Sequence, residues 1–163
     1  MVEIVLAGKQ HARDVFLLTL EFFPYINPSE ELVLERMESG NVFYLVAVEG
    51  ESVIGFVDLE VGAASKFGDL HELKEGLPVV EGKQGKILGL AVRKEFQGKG
   101  LGKRLFQASL DLAREKGVEA VVLLVVEGNV QAQKLYVEFG FEKKGVLQRE
   151  ISGKRVLLYS KKL

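Results

Sequence analysis

The 163-residue sequence contains no cysteine, which excludes disulfides, thiolate nucleophiles and cysteine-rich metal sites. It also lacks any run of about 18 unbroken apolar residues, the length a membrane-spanning helix needs. The Met1-Val2-Glu3-Ile4 start carries no basic stretch leading into a long apolar one. Neither a signal peptide nor a membrane span is expected, and a cytoplasmic protein is the default. A third absence is net charge: 22 Lys and Arg against 23 Asp and Glu leave −1, without the basic excess of a duplex-coating nucleic-acid binder. His11 and His71 lack ligand or triad spacing and read as structural or surface residues, so no metal is expected. No Gly-x-Ser-x-Gly elbow occurs. What remains suffices for one domain over residues 1–163, because a fold of this size buries about 68–70% of its extended-chain surface.

Charge is unevenly placed. Five basic residues (Arg93, Lys94, Lys99, Lys103, Arg104) stand against Glu95 in one short stretch, which suits a polyanion. Residues 58–81 hold six acids against Lys66 and Lys74, and read either as a solvated face or as a surface for a cation.

Apolar runs bounded by turn residues predict strands over 2–7, 42–48, 53–60, 87–92, 119–126, 141–148 and 156–160. Glu49-Gly50-Glu51 and Ser152-Gly153 read as hairpin turns. Helices are predicted over 11–21, from Asn27-Pro28-Ser29-Glu30 to Gly40 with Asn27 as cap, over 101–116, and over 130–139. The third is the strongest, with Leu101, Leu105, Ala108, Leu112 and Ala113 on one face and Gly117 as a left-handed stop. It lies between two nearly all-apolar strands, the pattern of a βαβ crossover joining parallel strands. Residues 61–85, with several glycines and Pro78, read as a long irregular loop.

Gln97-Gly98-Lys99-Gly100-Leu101-Gly102 sits between that buried strand and its crossover helix, where unpaired amides and the positive end of a helix dipole converge. Glycines let the backbone turn sharply and approach a phosphate without Cβ obstruction. A Walker A loop is excluded, since Lys103 and Arg104 follow without a Ser or Thr for magnesium. The dinucleotide fingerprint fails too, because Lys103 occupies its third glycine position.

The segment resembles the acetyl-CoA loop of the GCN5-related N-acetyltransferase (GNAT) superfamily, Gln/Arg-x-x-Gly-x-Gly/Ala, with Gln97, Gly100 and Gly102 in register. A second block, running Asn129-Val130-Gln131-Ala132-Gln133-Lys134-Leu135-Tyr136-Val137-Glu138-Phe139-Gly140-Phe141, is similar to the family's Asn-x-x-Ala-x-x-Leu-Tyr-x-x-x-Gly-Phe. The resemblance implies an α/β (α+β) fold: a mixed, mostly antiparallel sheet of about seven strands flanked by about four helices, with the cofactor between two parallel strands. It implies acetyl transfer from acetyl-CoA to a primary amine on a small molecule, peptide or protein, with neither nucleic acid nor membrane as partner; a non-catalytic acyl-CoA-binding domain is the alternative.

By the same resemblance, Gln97, Gly98, Lys99, Gly100, Leu101, Gly102 and Lys103 hold the pyrophosphate, and the backbone of Leu90, Ala91 and Val92 meets pantetheine. Tyr136 is then the general acid and a cofactor contact, since a phenol with a pKa of about 10 can protonate a thiolate once placed; a packing aromatic beside Leu135 and Phe139 is its other reading. Asn129 reads as a pantetheine contact, a helix cap, or both. The family's strand carboxylate is absent, with Lys86 in its place. Candidate bases are therefore Asp58 and Glu60, two apart on one strand, and Glu81, each otherwise a solvated acid. Phe22-Phe23-Pro24-Tyr25-Ile26 reads as acceptor-pocket wall, core plug or homodimer patch.

Overall fold

A computed structural model describes residues 1–63, 67 and 82–163. The contacts group the chain into two compact units, Met1–Glu60 with Leu88–Leu112, and Val61–Ile87 with Ala113–Leu163.

The first unit contains β1 (Val2–Leu6), β2 (Val42–Glu49) and most of β3 (Ser52–Ala63), with β1–β2 and β2–β3 antiparallel. It also holds the second half of β4 (Lys83–Val92), the helices α1 (Ala12–Phe22) and α2 (Glu30–Glu38), and most of α3 (Leu101–Glu115). Its core gathers Val15 and Leu18 from α1, Val33 from α2, and Tyr44, Val46 and Phe56 from the sheet. The β2–β3 hairpin closes as expected at Gly50, whose φ of +63° belongs to the left-handed region that glycine enters without strain. Helix α2 starts differently from expectation. Asn27 is itself left-handed at φ 55°, and Ser29 is the cap, its Oγ accepting the Leu32 N–H at 3.0 Å. Ser caps about as well as Asn, so with Asn27 turned left-handed the Ser29 hydroxyl takes the role two residues on. On α3 Leu101, Leu105 and Ala113 are buried as expected, together with Phe106, Ser109 and Leu110, while Ala108 and Leu112 are only half-buried. Covering Phe106 and Leu110 removes more apolar area from water than covering Ala108, and so rotates the face. The Ser109 hydroxyl is satisfied inside the helix by the Phe106 carbonyl at 2.6 Å.

Strands β3 and β4 approach closely at Gly55, where an added Cβ would lie 2.8 Å from the Ala91 carbonyl oxygen and 3.2 Å from Leu105 Cδ1. Gly55→Ala is therefore expected to destabilise by about 1–3 kcal/mol, the ordinary range for overpacking, seen as a lower urea midpoint at unchanged slope. An unchanged midpoint would refute this close approach.

The second unit contains the start of β4, β5 (Ala120–Val126), α4 (Val130–Glu138), β6 (Glu142–Ile151) and β7 (Lys154–Lys162). Gln84 to Ile87 pair parallel with Ala120 to Leu123, as the crossover reading expects, and β7 pairs antiparallel with both β5 and β6. The β6–β7 turn is Ser152-Gly153, both at positive φ. Phe67 is buried with Val122, Leu147, Val156 and Leu158.

Among the described residues seven strands hydrogen-bond in the order β1-β2-β3-β4-β5-β7-β6, giving the mixed, mostly antiparallel sheet with one parallel pair, β4–β5, and four α-helices. The irregular stretch expected over 61–85 is corrected at both ends, because β3 runs on to Ala63 and β4 begins at Lys83, while most of the residues between lie outside the described ones. Gln84 and Gly85 have weak intrinsic strand preference, and pairing with Ala120 and Val121 overrides it. Glu81 and His71 lie outside the described residues. Among the described residues no helix is long and apolar enough to cross a membrane.

Candidate active site

The glycine segment follows β4 through a short 3-10 turn, Lys94–Phe96, and enters α3 at Leu101. Gly98 and Gly100 both have positive φ, 79° and 81°, with nothing within 4 Å of where a Cβ would stand. The main chain therefore reverses twice in open space. The Arg104 N–H donates to the Gly100 carbonyl at 3.1 Å, which starts the helical ladder directly after the second left-handed glycine. The positive end of a 15-residue helix without an acid in its first turn suits an anion. Lys99, Lys103 and Arg104 are exposed around it, with Lys99 Nζ 5.7 Å from the Phe96 ring centre. The Gln97 side chain turns back to β4, its Nε2 donating to the Val92 carbonyl at 2.8 Å, and so ties the loop to the strand end.

On β4, Ala91 and Val92 are buried and Leu90 is half-buried. Of the candidate bases, Asp58 is no solvated acid: its side chain is only 4% exposed. Oδ1 accepts the Gly89 N–H at 2.6 Å and Oδ2 lies 3.1 Å from Arg36 Nη2. Burial pushes the Asp58 carboxyl above its ordinary value, against the opposing pull of the Arg36 guanidinium and the Gly89 amide. Arg36 also lies over the Tyr44 ring, 5.3 Å from its centre. Burial and then the Asp58 charge push the Tyr44 phenol up, while Arg36 opposes them. Glu60, two residues along β3, is half-buried. In the segment joining α1 to α2, Phe22 and Phe23 pack against the core, whereas Tyr25 and Ile26 are exposed.

In the second unit, Asn129 caps α4, its Oδ1 accepting the Ala132 N–H at 3.2 Å. Tyr136 is half-buried, with ring centres 6.3 Å from Phe141 and 6.1 Å from Tyr159. Tyr159 donates its hydroxyl to Gln133 Oε1 at 3.2 Å, bracing the same face of α4. Glu127, at the end of the β5 region, is paired through both carboxylate oxygens with Arg155 of β7, which holds its carboxyl below the usual range. The two partners steady the strand-to-helix junction that presents Asn129.

Residues 12–141 match the family model described as acetyltransferase (GNAT) family, which spans both the glycine segment and the block on α4. The chain belongs to the acetyltransferase (GNAT) family. Among curated GNAT relatives, N-alpha-acetyltransferase 30 of Schizosaccharomyces pombe is 38% identical over 58 residues, 36% of this chain and 39% of that protein. Spermine/spermidine N(1)-acetyltransferase of Bacillus subtilis is 34% identical over 68 residues, 41% of this chain and 43% of that protein. The chain thus matches less than half the length of each. Arabidopsis thaliana NAA60, solved in complex with acetyl-CoA, superposes with a TM-score of 0.81 at 21% identity over 100% of this chain and 99% of that one, a likeness of fold.

The Arg36–Asp58–Gly89 arrangement is what sequence reasoning missed. Its members come from α2, β3 and β4, and the single visible signal was an acid amid the apolar run Phe56-Val57-Asp58-Leu59.

Proposed function

We propose that this GNAT protein is an acetyl-CoA-dependent N-acetyltransferase that passes an acetyl group directly to a primary amine. The observation that carries the reading is the paired left-handed glycines, Gly98 and Gly100, at the start of α3. They fit a pyrophosphate, which needs several convergent N–H donors and no side chain in the way. Gln97, Gly98, Lys99, Gly100, Leu101, Gly102 and Lys103 form this site. Leu90, Ala91 and Val92 meet pantetheine through their main chain, and Asn129 adds a contact from its capping position. Acetyl-CoA supplies the activated acyl carbon.

The amine nitrogen attacks the thioester carbonyl carbon, the C–S bond breaks, and the sulfur takes its proton from the Tyr136 phenol. The proton lost by the nitrogen goes to a carboxylate or water, and a proton returns to Tyr136 before the next turnover. Asp58 has both oxygens engaged, which leaves Glu60, and Glu81 outside the described residues, as side-chain bases. No covalent enzyme intermediate is needed. The two relatives bear the names of an N-alpha- and a polyamine acetyltransferase, so the acceptor class spans peptides and small amines. A cytoplasmic location, a single working domain and a homodimer through the exposed Tyr25 and Ile26 belong to the same proposal.

The test is a panel of polyamines, amino acids and peptides with free-thiol release as readout. Transfer to at least one amine is expected; none, from folded protein, would sink the reading. The second reading, a domain that senses acyl-CoA without turnover, is favoured by Lys86 standing where the family often has a carboxylate. It predicts thermal stabilisation by coenzyme A with no thiol release.

A further inference from the structure

The strongest feature outside the proposed cofactor contacts is the buried carboxylate of Asp58. A carboxylate taken from water is costly unless paired, and a buried ion pair seldom stabilises a fold more than apolar residues of the same volume would. Stability alone therefore does not account for it, and its hydrogen bonds indicate another role. The Arg93 N–H donates to the Ile54 carbonyl at 2.8 Å. Four residues back along β4 and four forward along β3, Gly89 comes opposite Asp58, and there the Gly89 N–H meets a side-chain oxygen at 2.6 Å.

The fit around that bond is close on every side. A Cβ at position 89 would lie 3.2 Å from Phe23 Cε2 and 3.5 Å from both Asp58 Oδ1 and Phe56 Cε2, so glycine lets the carboxylate and two rings close on the amide. Arg36 fixes the carboxylate from its other side and is itself held over Tyr44. The peptide group is planar, so the bond to Asp58 fixes the plane that ends at Gly89 Cα, the atom from which the plane carrying the Leu90 N–H starts.

We propose that Asp58 is a positioning residue for acyl transfer: its carboxylate, anchored by Arg36, holds the Gly89 amide and thereby aims the Leu90 main chain at the thioester. This rests on the acetyltransferase reading. Asp58 itself takes no proton from the amine, since both oxygens are occupied and the side chain is closed to solvent.

The test compares Asp58→Ala, Asp58→Asn and the double variant Asp58→Ala/Arg36→Met, which removes both charges should Asp58→Ala fail to fold. Hydrogen exchange of the Gly89 amide, kcat, and the Kd of coenzyme A by calorimetry are measured for each. Asp58→Ala, or the double variant, is expected to speed Gly89 exchange at least tenfold and lower kcat at least tenfold, with the coenzyme A Kd within threefold of the parent. Asp58→Asn keeps an acceptor oxygen for Gly89 and should hold both exchange and kcat within about threefold. Unchanged Gly89 exchange without the carboxylate overturns the proposal, as does a kcat loss in Asp58→Asn equal to that in Asp58→Ala. If the parent binds coenzyme A yet transfers nothing, the acetyltransferase reading fails. Faster exchange in Asp58→Ala would then still uphold the hold of Asp58 on Gly89.

Discussion

Tyr136→Phe is expected to lower turnover by on the order of 10²-fold or more, the scale of a lost general acid, while leaving coenzyme A affinity within about twofold. The substitution deletes one oxygen and keeps the ring. Contacts with Phe141 and Tyr159 survive, so α4 should stay docked on β7 and the folding midpoint should barely move. The thiolate must then find its proton in water, and the barrier to C–S cleavage rises. Single-turnover kinetics with saturating acetyl-CoA separate that step from product release. Unaltered single-turnover rates would remove Tyr136 from the chemistry and leave it as packing.

Gly100→Val is expected to weaken coenzyme A at least tenfold. Left-handed backbone costs a residue with a Cβ about 1–2 kcal/mol, and a β-branched side chain is the worst placed to accept it. At φ +81° the valine would either strain the loop or turn its amides off the phosphate. Because nothing lies within 4 Å of the added Cβ, no packing is disturbed, and the folding midpoint should fall by no more than the strain itself. Calorimetry with coenzyme A reads the affinity. Gly102→Ala is the control for the fold: that position is helical without positive φ, and alanine favours helix. Equal affinity for Gly100→Val and the parent would show that the segment merely links a strand to a helix.

Local chemistry was the part legible in advance. Gly50, Ser152 with Gly153, Gly117 and Gly40 mark reversals or helix ends because their φ requirement is a property of a few consecutive residues. The crossover helix was visible in its 3.6-residue period, and the parallel pair in the apolar runs beside it. Asn129 satisfies the helix N-terminus as its type and place suggested. Features set by distant partners were not legible. The early start of β4 depends on Ala120 and Val121, the stripe on α3 turned toward its bulkiest residues, and the choice of Ser29 over Asn27 followed the backbone of the preceding turn. Asp58 shows the limit most plainly. Alternation along β3 placed it beside Glu60 as a solvated acid, whereas Arg36, 22 positions earlier in the chain, and Gly89, 31 positions later, enclose it.

The bond from Gln97 Nε2 to the Val92 carbonyl has a thermodynamic meaning as well as a geometric one. It closes a small ring of chain between the strand end and the glycines, and fixing a residue's backbone costs about 1–2 kcal/mol of conformational entropy. With the ring already closed, that cost is met when the protein folds rather than when an anion arrives. Gln97 can thus add affinity beyond any contact of its own, by holding the glycines in place before a ligand arrives.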